Sequence, residues 1–305
     1  MKNDKLAIAI PTYNRARILK ENLSYMMDEI KKYNIPIYIS DDSDNNDTLM
    51  VVNELKTIYE YIYYYKNKPS LGHDKNCFFT LNLPSEDHIW YLGDSVIIEK
   101  GTIFLVLELL KKAKYDFVVT NHKGRNLNIA SKLFIDAKDV FSDLAWHLTL
   151  SGVTIYRKKI IENYKVKGIY KNFPQTSIIL NSISENCNLY YIHDAISFVN
   201  KNKVSYWNKN TFETFAKDWF IFIDSLPSFY TKIEKKQVIK SHSLHTEIFG
   251  IRSLVKYNLL GYLNIKEYMK YHKYINAASH LNKSLIILIT ILPTKLIEFV
   301  LKYKA

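Results

Sequence analysis

The chain has 305 residues, 48% apolar and 24% charged, which excludes a disordered or fibrous polypeptide and allows one large domain or two modest ones. Its formal charge of +12 fits nucleic acid, an anionic membrane surface, a phosphorylated substrate, or a plain solvated basic face. The charge is spread out, with no dense arginine tract and no nucleic-acid motif of the usual kinds, so membrane or phosphate is preferred.

The 24 tyrosines, with abundant Lys, Asn and Ile, carry the compositional mark of an AT-rich, bacterial coding sequence. Cys77 and Cys187 form no CxxC pair, which argues against a zinc site and reads as free thiols in a reducing compartment. The N-terminus leads straight into a short strand with no signal-like run, so a cytoplasmic protein is expected.

Taken along the chain, residues 6–10 are continuously apolar and stop at Pro11, as in a buried parallel strand. Helical spacing of Ile18, Leu19, Leu23, Met26, Met27 and Ile30 follows. A strand over 37–39, a helix over 48–59 with Asp47 as N-cap, and a strand over 61–65 come next. Then come a helix over 74–81, a strand over 89–92, a helix over 101–112 and strands over 117–120 and 151–156. This alternation predicts an α/β fold with a mostly parallel central sheet flanked by helices. From about Tyr206 the pattern is helical and aromatic, which places a soft boundary near residue 205.

The apolar run 285–292 is shorter than the about 20 residues that span a bilayer. Lys295, Lys302 and Lys304 interleave with Leu296, Ile297, Phe299 and Leu301, which suits either a basic amphipathic segment on an anionic membrane or a core-packed terminal helix.

Three strand ends carry chemistry within the first hundred residues. Thr12, Tyr13, Asn14 and Arg15 offer a hydroxyl, a ring, an amide and a cation. Asp41 and Asp42 place carboxylates at a sheet lip, where open α/β sheets bind ligands. Trp90-Tyr91-Leu92-Gly93-Asp94-Ser95 ends a strand abruptly in an acid. Between them, Leu71-Gly72-His73-Asp74-Lys75-Asn76 turns into a helix whose N-terminus suits a phosphate. Each of these alone is also an ordinary turn or cap. The marks of other enzyme classes, GxGxxG, the P-loop lysine, HExxH and GxSxG, are missing.

In combination, order and spacing, these motifs resemble the family 2 glycosyltransferases of the GT-A fold, in particular the abequosyltransferase-like O-antigen and capsule enzymes. The resemblance covers about the first 120 residues, is weaker over 120–205 and is nearly absent after that. It implies a GT-A catalytic domain over 1–205, with a nucleotide-sugar half (1–100) and an acceptor half (101–205), and transfer, with inversion, from a nucleotide-diphosphate sugar, UDP-sugar favoured, to a cell-surface glycan. The basic, apolar tail of the helical region over 206–305 adds the expectation of membrane association and of a lipid-linked acceptor at the inner face of the membrane. The donor site the resemblance implies is Pro11, Thr12, Tyr13, Arg15, Asp41, Asp42, Lys75, Asp94 and Ser95. Thr12 and Tyr13 line the base pocket, Asp41 bonds the base, and Lys75 lies near the diphosphate. Asp94 holds Mg²⁺ or Mn²⁺ as the first acid of a DxD motif.

The sequence departs from the family twice. The DxD would end at Val96, which cannot ligate a metal, so an acid restored there is expected to raise metal affinity. His122 or His147 could assist, or Lys75 and Arg15 could carry the charge instead. The stretch Asn172-Phe173-Pro174-Gln175-Thr176, where the family keeps its catalytic acid, holds none. Asp194, then Glu185, then Asp143 are the substitutes, with Asp194 taken as the catalytic partner of Asp94. The alternatives are a lapsed GT-A domain that binds a nucleotide sugar or a partner transferase, and a basic aromatic nucleic-acid binder.

Overall fold

The computed structural model describes residues 2–125, 127–166, 168, 170–203 and 209–294. The chain divides into two compact units. The first holds Met1–Val140, His147–Lys167 and Phe173–Val204. The second holds Phe141–Trp146, Gly168–Asn172 and Ser205–Ala305.

The first unit begins with β1 (Leu6–Thr12), whose first five residues are fully buried. Helix α1 (Ala16–Lys32) buries Leu19, Leu23, Met26, Met27 and Ile30 along one stripe, as the spacing predicts. Next come β2 (Ile37–Asp41), α2 (Asp47–Lys56), β3 (Ile62–Lys66), α3 (His73–Asn82), β4 (His88–Tyr91), β5 (Val96–Ile98) and α4 (Thr102–Lys112). They are followed by β6 (Phe117–His122), β7 (Lys132–Phe134), α5 (Ala137–Leu144), β8 (Thr154–Arg157), α6 (Lys158–Asn163), α7 (Pro174–Ile183) and β9 (Leu189–Val199). Pro174 opens α7 because the first helical position needs no N–H donor. Both ends of α2 differ from expectation. Asp47 is the first residue of α2 rather than its cap, with Asn46 in the cap position. That helix ends at Lys56, beyond which Tyr59 turns inward to donate to the Ile35 carbonyl at 2.8 Å.

The sheet runs β3-β2-β1-β4-β8-β6-β9-β5, with β7 beside β9. Strands β1 to β4 pair in parallel. Strand β8 is antiparallel to both β4 and β6, and β6 is parallel to β9. Strands β5 and β7 run against β9. Six strands (β1, β2, β3, β4, β6 and β9) therefore share one direction, which makes the sheet mostly parallel. The run over 151–156 is thus an antiparallel strand, shifted to Thr154–Arg157. Apolar side chains of β1, β2, β4 and β6 pack against α1, α2 and α4 in one core that includes Ile8, Ile39, Trp90, Val106 and Val118.

These directions have one consequence for function. The C-terminal ends of six strands and the N-terminal ends of β5 and β8 lie on the same sheet edge. The segments 12–15, 41–44, 93–95, 122–125, 147–153 and 200–203 are therefore delivered to that edge.

The second unit, beyond its segments within 141–172, consists of a π-helical turn (Phe212–Asp218) and helices α8 (Trp219–Ser225), α9 (Lys232–Thr246), α10 (Ile251–Leu259), α11 (Ile265–Ala278) and α12 (Lys283–Ile291). Its core is aromatic: Phe212, Trp219, Phe222, Tyr230 and Phe249 are buried, and Phe141 packs on Tyr230 with ring centroids 4.2 Å apart. Thr231 and Glu234 close a capping box at the start of α9. Among the described residues no helix is long and apolar enough to cross a membrane. The expected basic tail with Lys295, Lys302 and Lys304 lies outside the described residues.

Candidate active site

Asp94 stands at the centre of the sheet edge, in the turn between β4 and β5. One oxygen accepts from Arg15 Nη1 at 2.9 Å and the other from Thr12 Oγ1 at 3.1 Å. Burial pushes its carboxyl above the ordinary carboxylate range, while Arg15 and Thr12 pull it back. The turn is held by Asn22 of α1, which donates to the Asp94 carbonyl at 2.8 Å. Asn200, just past β9, donates to Asn22 Oδ1 at 2.7 Å, and its own N–H reaches the Ser95 carbonyl at 2.9 Å. Lys203 follows in the same turn, its N–H on the Asn200 carbonyl at 3.1 Å. Burial draws the Lys203 ammonium below its usual value, the nearby charges of Arg15 and Arg125 add to that, and Asp94 opposes it.

A second group comes from the end of β6. His122 Nδ1 accepts the Gly124 N–H at 3.0 Å, so its proton sits on Nε2, a buried donor with no protein partner among the described residues. Burial, reinforced by the charges of Arg125 and Lys203, lowers His122 to about 4, so the ring is neutral near pH 7. Arg125 donates to Thr149 Oγ1 at 2.7 Å, and burial lowers its guanidinium to about 10. Gln175 at the start of α7 donates to the Thr149 carbonyl at 3.2 Å, while its Oε1 is buried with no partner among the described residues. His147 is fully buried, lowered to about 3 by desolvation, and its Nε2 lies 2.9 Å from the Thr120 carbonyl. Arg125 and Lys203 were not singled out from sequence, His122 only as an aid to a metal, and Gln175 only as a position without the expected acid. The signal for Arg125 and Lys203 is the direction of β6 and β9, which periodicity does not report.

The other sequence candidates fall into different places. Asp41 is fully buried, with Oδ1 accepting from the Ser43 N–H and Oδ2 from Tyr64 and Lys66 Nζ at 2.7 and 3.0 Å. Asp42 accepts from Ser70 Oγ, the Leu71 and Gly72 N–H groups and Asn67. Both carboxylates are thus satisfied by neighbouring donors of the first unit. The N–H groups of Leu71 and Gly72, just before α3, donate to Asp42. Lys75 is exposed on the first turn of α3. Tyr13 presents a half-exposed ring beside Asp44, Pro11 is half-buried at the end of β1, and Ser95 is buried in the Asp94 turn.

Asp194 is exposed on a bulge of β9 between Ile192 and Ile196, within the strand rather than at its C-terminal end. No hydrogen bond or ion pair among the described residues links it to Asp94. Glu185 follows the C-terminal end of α7, and Asp143 belongs to the second unit.

A divalent ion is a poor fit for this set. Among the described residues Asp94 is its single carboxylate, already bonded by Arg15 and Thr12, and Arg125 and Lys203 add positive charge. Val96 is 7% exposed and packs against Gly152, where an added Cβ would lie 2.8 Å from its Cγ1. Among the described residues no three His, Cys, Asp or Glu side chains come together, so His122 and His147 do not complete a site with Asp94.

The comparisons with known proteins agree with this architecture. The model of Glycosyl transferase family 2 matches residues 7–165, more than half of the chain. A curated relative, the GalNAc(5)-diNAcBac-PP-undecaprenol beta-1,3-glucosyltransferase of Campylobacter jejuni, is 19% identical over 264 residues, covering 76% of this chain and 84% of its own. The structure of Staphylococcus aureus TarS 1-349 with UDP-GlcNAc aligns with a TM-score of 0.63 at 14% identity, over 90% of this chain and 81% of that one. The mannosyltransferase PcManGT of Pyrobaculum calidifontis, with GDP-Man and Mn²⁺, aligns with a TM-score of 0.59 at 10% identity, over 95% and 87%. The two structural likenesses speak for the fold, and the family match for the chemistry. The chain belongs to glycosyl transferase family 2 and is a glycosyltransferase with a GT-A sheet.

Proposed function

We propose that the enzyme transfers a sugar, with inversion, from a nucleotide-diphosphate donor to a lipid-linked glycan at the cytoplasmic face of a membrane. The first unit is the catalytic domain, with its acceptor half over 101–205, and the second is the membrane-associating region. The observation that carries the donor assignment is the group of Arg15, Arg125 and Lys203 around one carboxylate at the sheet edge. Three cations drawn out of water beside a single acid are stabilised by an incoming polyanion, and a diphosphate supplies it. Tyr13 offers a ring face for the base. His122 Nε2–H and Gln175 Oε1, a buried donor and a buried acceptor, suit the hydroxyls of the donor sugar, because each costs free energy while unpaired. UDP- and GDP-sugars are the donors bound by the two structural neighbours, and the Campylobacter relative is named for a polyprenyl-diphosphate glycan; both support the substrate classes chosen here.

In the transfer, an acceptor hydroxyl oxygen bonds to the anomeric carbon while the bond from that carbon to the β-phosphate oxygen breaks. The electron pair stays on the phosphate, and the hydroxyl proton passes to a general base. Asp94 orders Arg15 against the departing diphosphate through the 2.9 Å ion pair.

Calorimetry with UDP- and GDP-sugars, followed by nucleotide release with an undecaprenyl-diphosphate-linked saccharide, tests the reading. Asp94→Asn is expected to lower turnover by about a hundredfold or more, as for the loss of one preorganised charge-stabilising group. Asp194→Asn separates two roles. A general base loses about a hundred- to ten-thousandfold, whereas its exposed bulge position leads us to expect turnover within about twofold of wild type. Binding of neither nucleotide class would overturn the donor assignment.

A further inference from the structure

We infer that this transferase holds its leaving diphosphate with side-chain cations, Arg15, Arg125 and Lys203, in the place where a divalent ion would otherwise act. The inference rests on the nucleotide-sugar reading above and concerns how the same site handles charge.

Four observations point the same way. First, the position two residues after Asp94 is Val96, and its side chain belongs to the core. It lies against Gly152, where an added Cβ would meet Val96 Cγ1 at 2.8 Å and Leu92 Cδ1 at 3.3 Å. A ligating acid is therefore missing there, and its space is filled with packed hydrocarbon. Second, both oxygens of Asp94 are committed to Arg15 and Thr12. A cation arriving at Asp94 would share its carboxylate with a guanidinium of like charge already 2.9 Å away.

Third, the charges that act on Lys203 among the described residues are Arg15, Arg125 and Asp94, two cations and one carboxylate. Glu21 joins the Lys203 turn only through Asn200 and Asn202, which donate to it at 3.2 and 3.0 Å. Gathered cations disfavour a dication and favour a dianion. Fourth, the cations are built in. Arg125 is anchored on Thr149, and the Lys203 turn is tied through Asn200 and Asn22 to the carbonyls of Asp94 and Ser95. The carbonyl carrying Asp94 and the backbone carrying Lys203 thus belong to one hydrogen-bonded unit.

The chemistry closes without another reactant. As the bond between the anomeric carbon and the β-phosphate oxygen breaks, the pair of electrons left on that oxygen is met by guanidinium and ammonium protons. These groups are already oriented and partly desolvated, which is the condition under which fixed charges stabilise a transition state best. No redox change or added Lewis acid is needed to balance the step.

The test uses the full chain after exhaustive treatment with EDTA and dialysis. Binding of UDP, GDP, UMP and GMP is measured by calorimetry, with and without added Mn²⁺. The inference expects whichever nucleotide is recognised to bind as its diphosphate to the chelated protein, within about twofold of the affinity seen with Mn²⁺. It expects the monophosphate to bind more weakly. Lys203→Met should lower diphosphate affinity roughly ten- to hundredfold, the range of one charge-assisted hydrogen bond, and leave monophosphate affinity nearly unchanged. Lys203→Arg should restore most of it. Arg125→Met serves as a second variant, and Lys203, less deeply buried, keeps the test open if Arg125→Met fails to fold. Diphosphate binding that appears only with Mn²⁺ would overturn the metal-free arrangement and leave the nucleotide-sugar reading intact. Absence of binding by every nucleotide under both conditions would overturn the reading and the inference together.

Discussion

At the scale of single residues, three strand-end carboxylates that look alike in sequence have different surroundings. Asp41 and Asp42 end the same strand and are satisfied by Ser43, Tyr64 and Lys66 on one side and by Ser70, Leu71 and Gly72 on the other. Asp94 instead faces a cluster of cations. The buried imidazoles carry a prediction at this scale. His122 and His147 have values of about 4 and 3 in the folded chain because burial disfavours their cations, and an unfolded imidazole titrates near ~6.5. Between those limits the unfolded chain takes up protons first. Stability that is complete above about pH 6.5 is therefore lost as the pH falls toward 4, on the order of 1 kcal/mol per pH unit for each ring. His88 and His245, also lowered by burial, act in the same direction. Thermal midpoints between pH 7 and 4 should fall accordingly, with a shallower fall in His122→Asn. Midpoints that stay flat over this window would contradict buried neutral imidazoles.

At the scale of elements, the turn joining β4 to β5 and the segment entering β8 make one packed unit. Trp90 Nε1 donates to the Gly152 carbonyl at 2.9 Å, and the Gly93 N–H reaches the Ser151 carbonyl at 3.3 Å. Gly152 has φ of 134°, a conformation open to glycine, and the missing Cβ leaves room for Val96. The sequence alone makes Val96→Asp look like a repair of a metal motif. Packing reverses that expectation, because the new carboxylate would enter the core without a partner. We expect Val96→Asp to lose several kcal/mol of stability and Mn²⁺ not to restore it. Denaturant unfolding with and without Mn²⁺ measures both, and recovery on adding Mn²⁺ would mean that the position faces a metal site after all.

At the scale of the whole molecule, the +12 charge includes the cations at the sheet edge, and the rest is spread along the chain. Ile233, Leu244, Ile251, Leu260, Ile265, Met269, Leu288 and Ile291 are exposed on the helices of the second unit, among many lysines. Apolar contact together with basic charge is the pattern that binds anionic lipid surfaces. The full chain is expected to co-sediment with phosphatidylglycerol vesicles, to ignore phosphatidylcholine vesicles, and to be released at about 1 M salt, where the screening length shrinks to about 3 Å. Equal recovery with both lipids would remove the electrostatic attraction from the account.

The sequence by itself determined the α/β class, the helix faces and the identity of the strand ends, because each depends on local periodicity and on turn chemistry within a few residues. The pairing of Arg15 with Asp94 was within its reach only as two separate candidates, 79 residues apart. Tertiary structure decided the rest. An apolar run reads the same whichever way the strand points, so only the sheet could show β8 antiparallel and β6 and β9 parallel. Those directions bring Arg125 and Lys203, 110 and 188 residues after Arg15 in the sequence, to one edge. Likewise, whether a carboxylate is a ligand or a brace depends on the donors around it. Those donors are set by long-range packing, which local sequence does not encode.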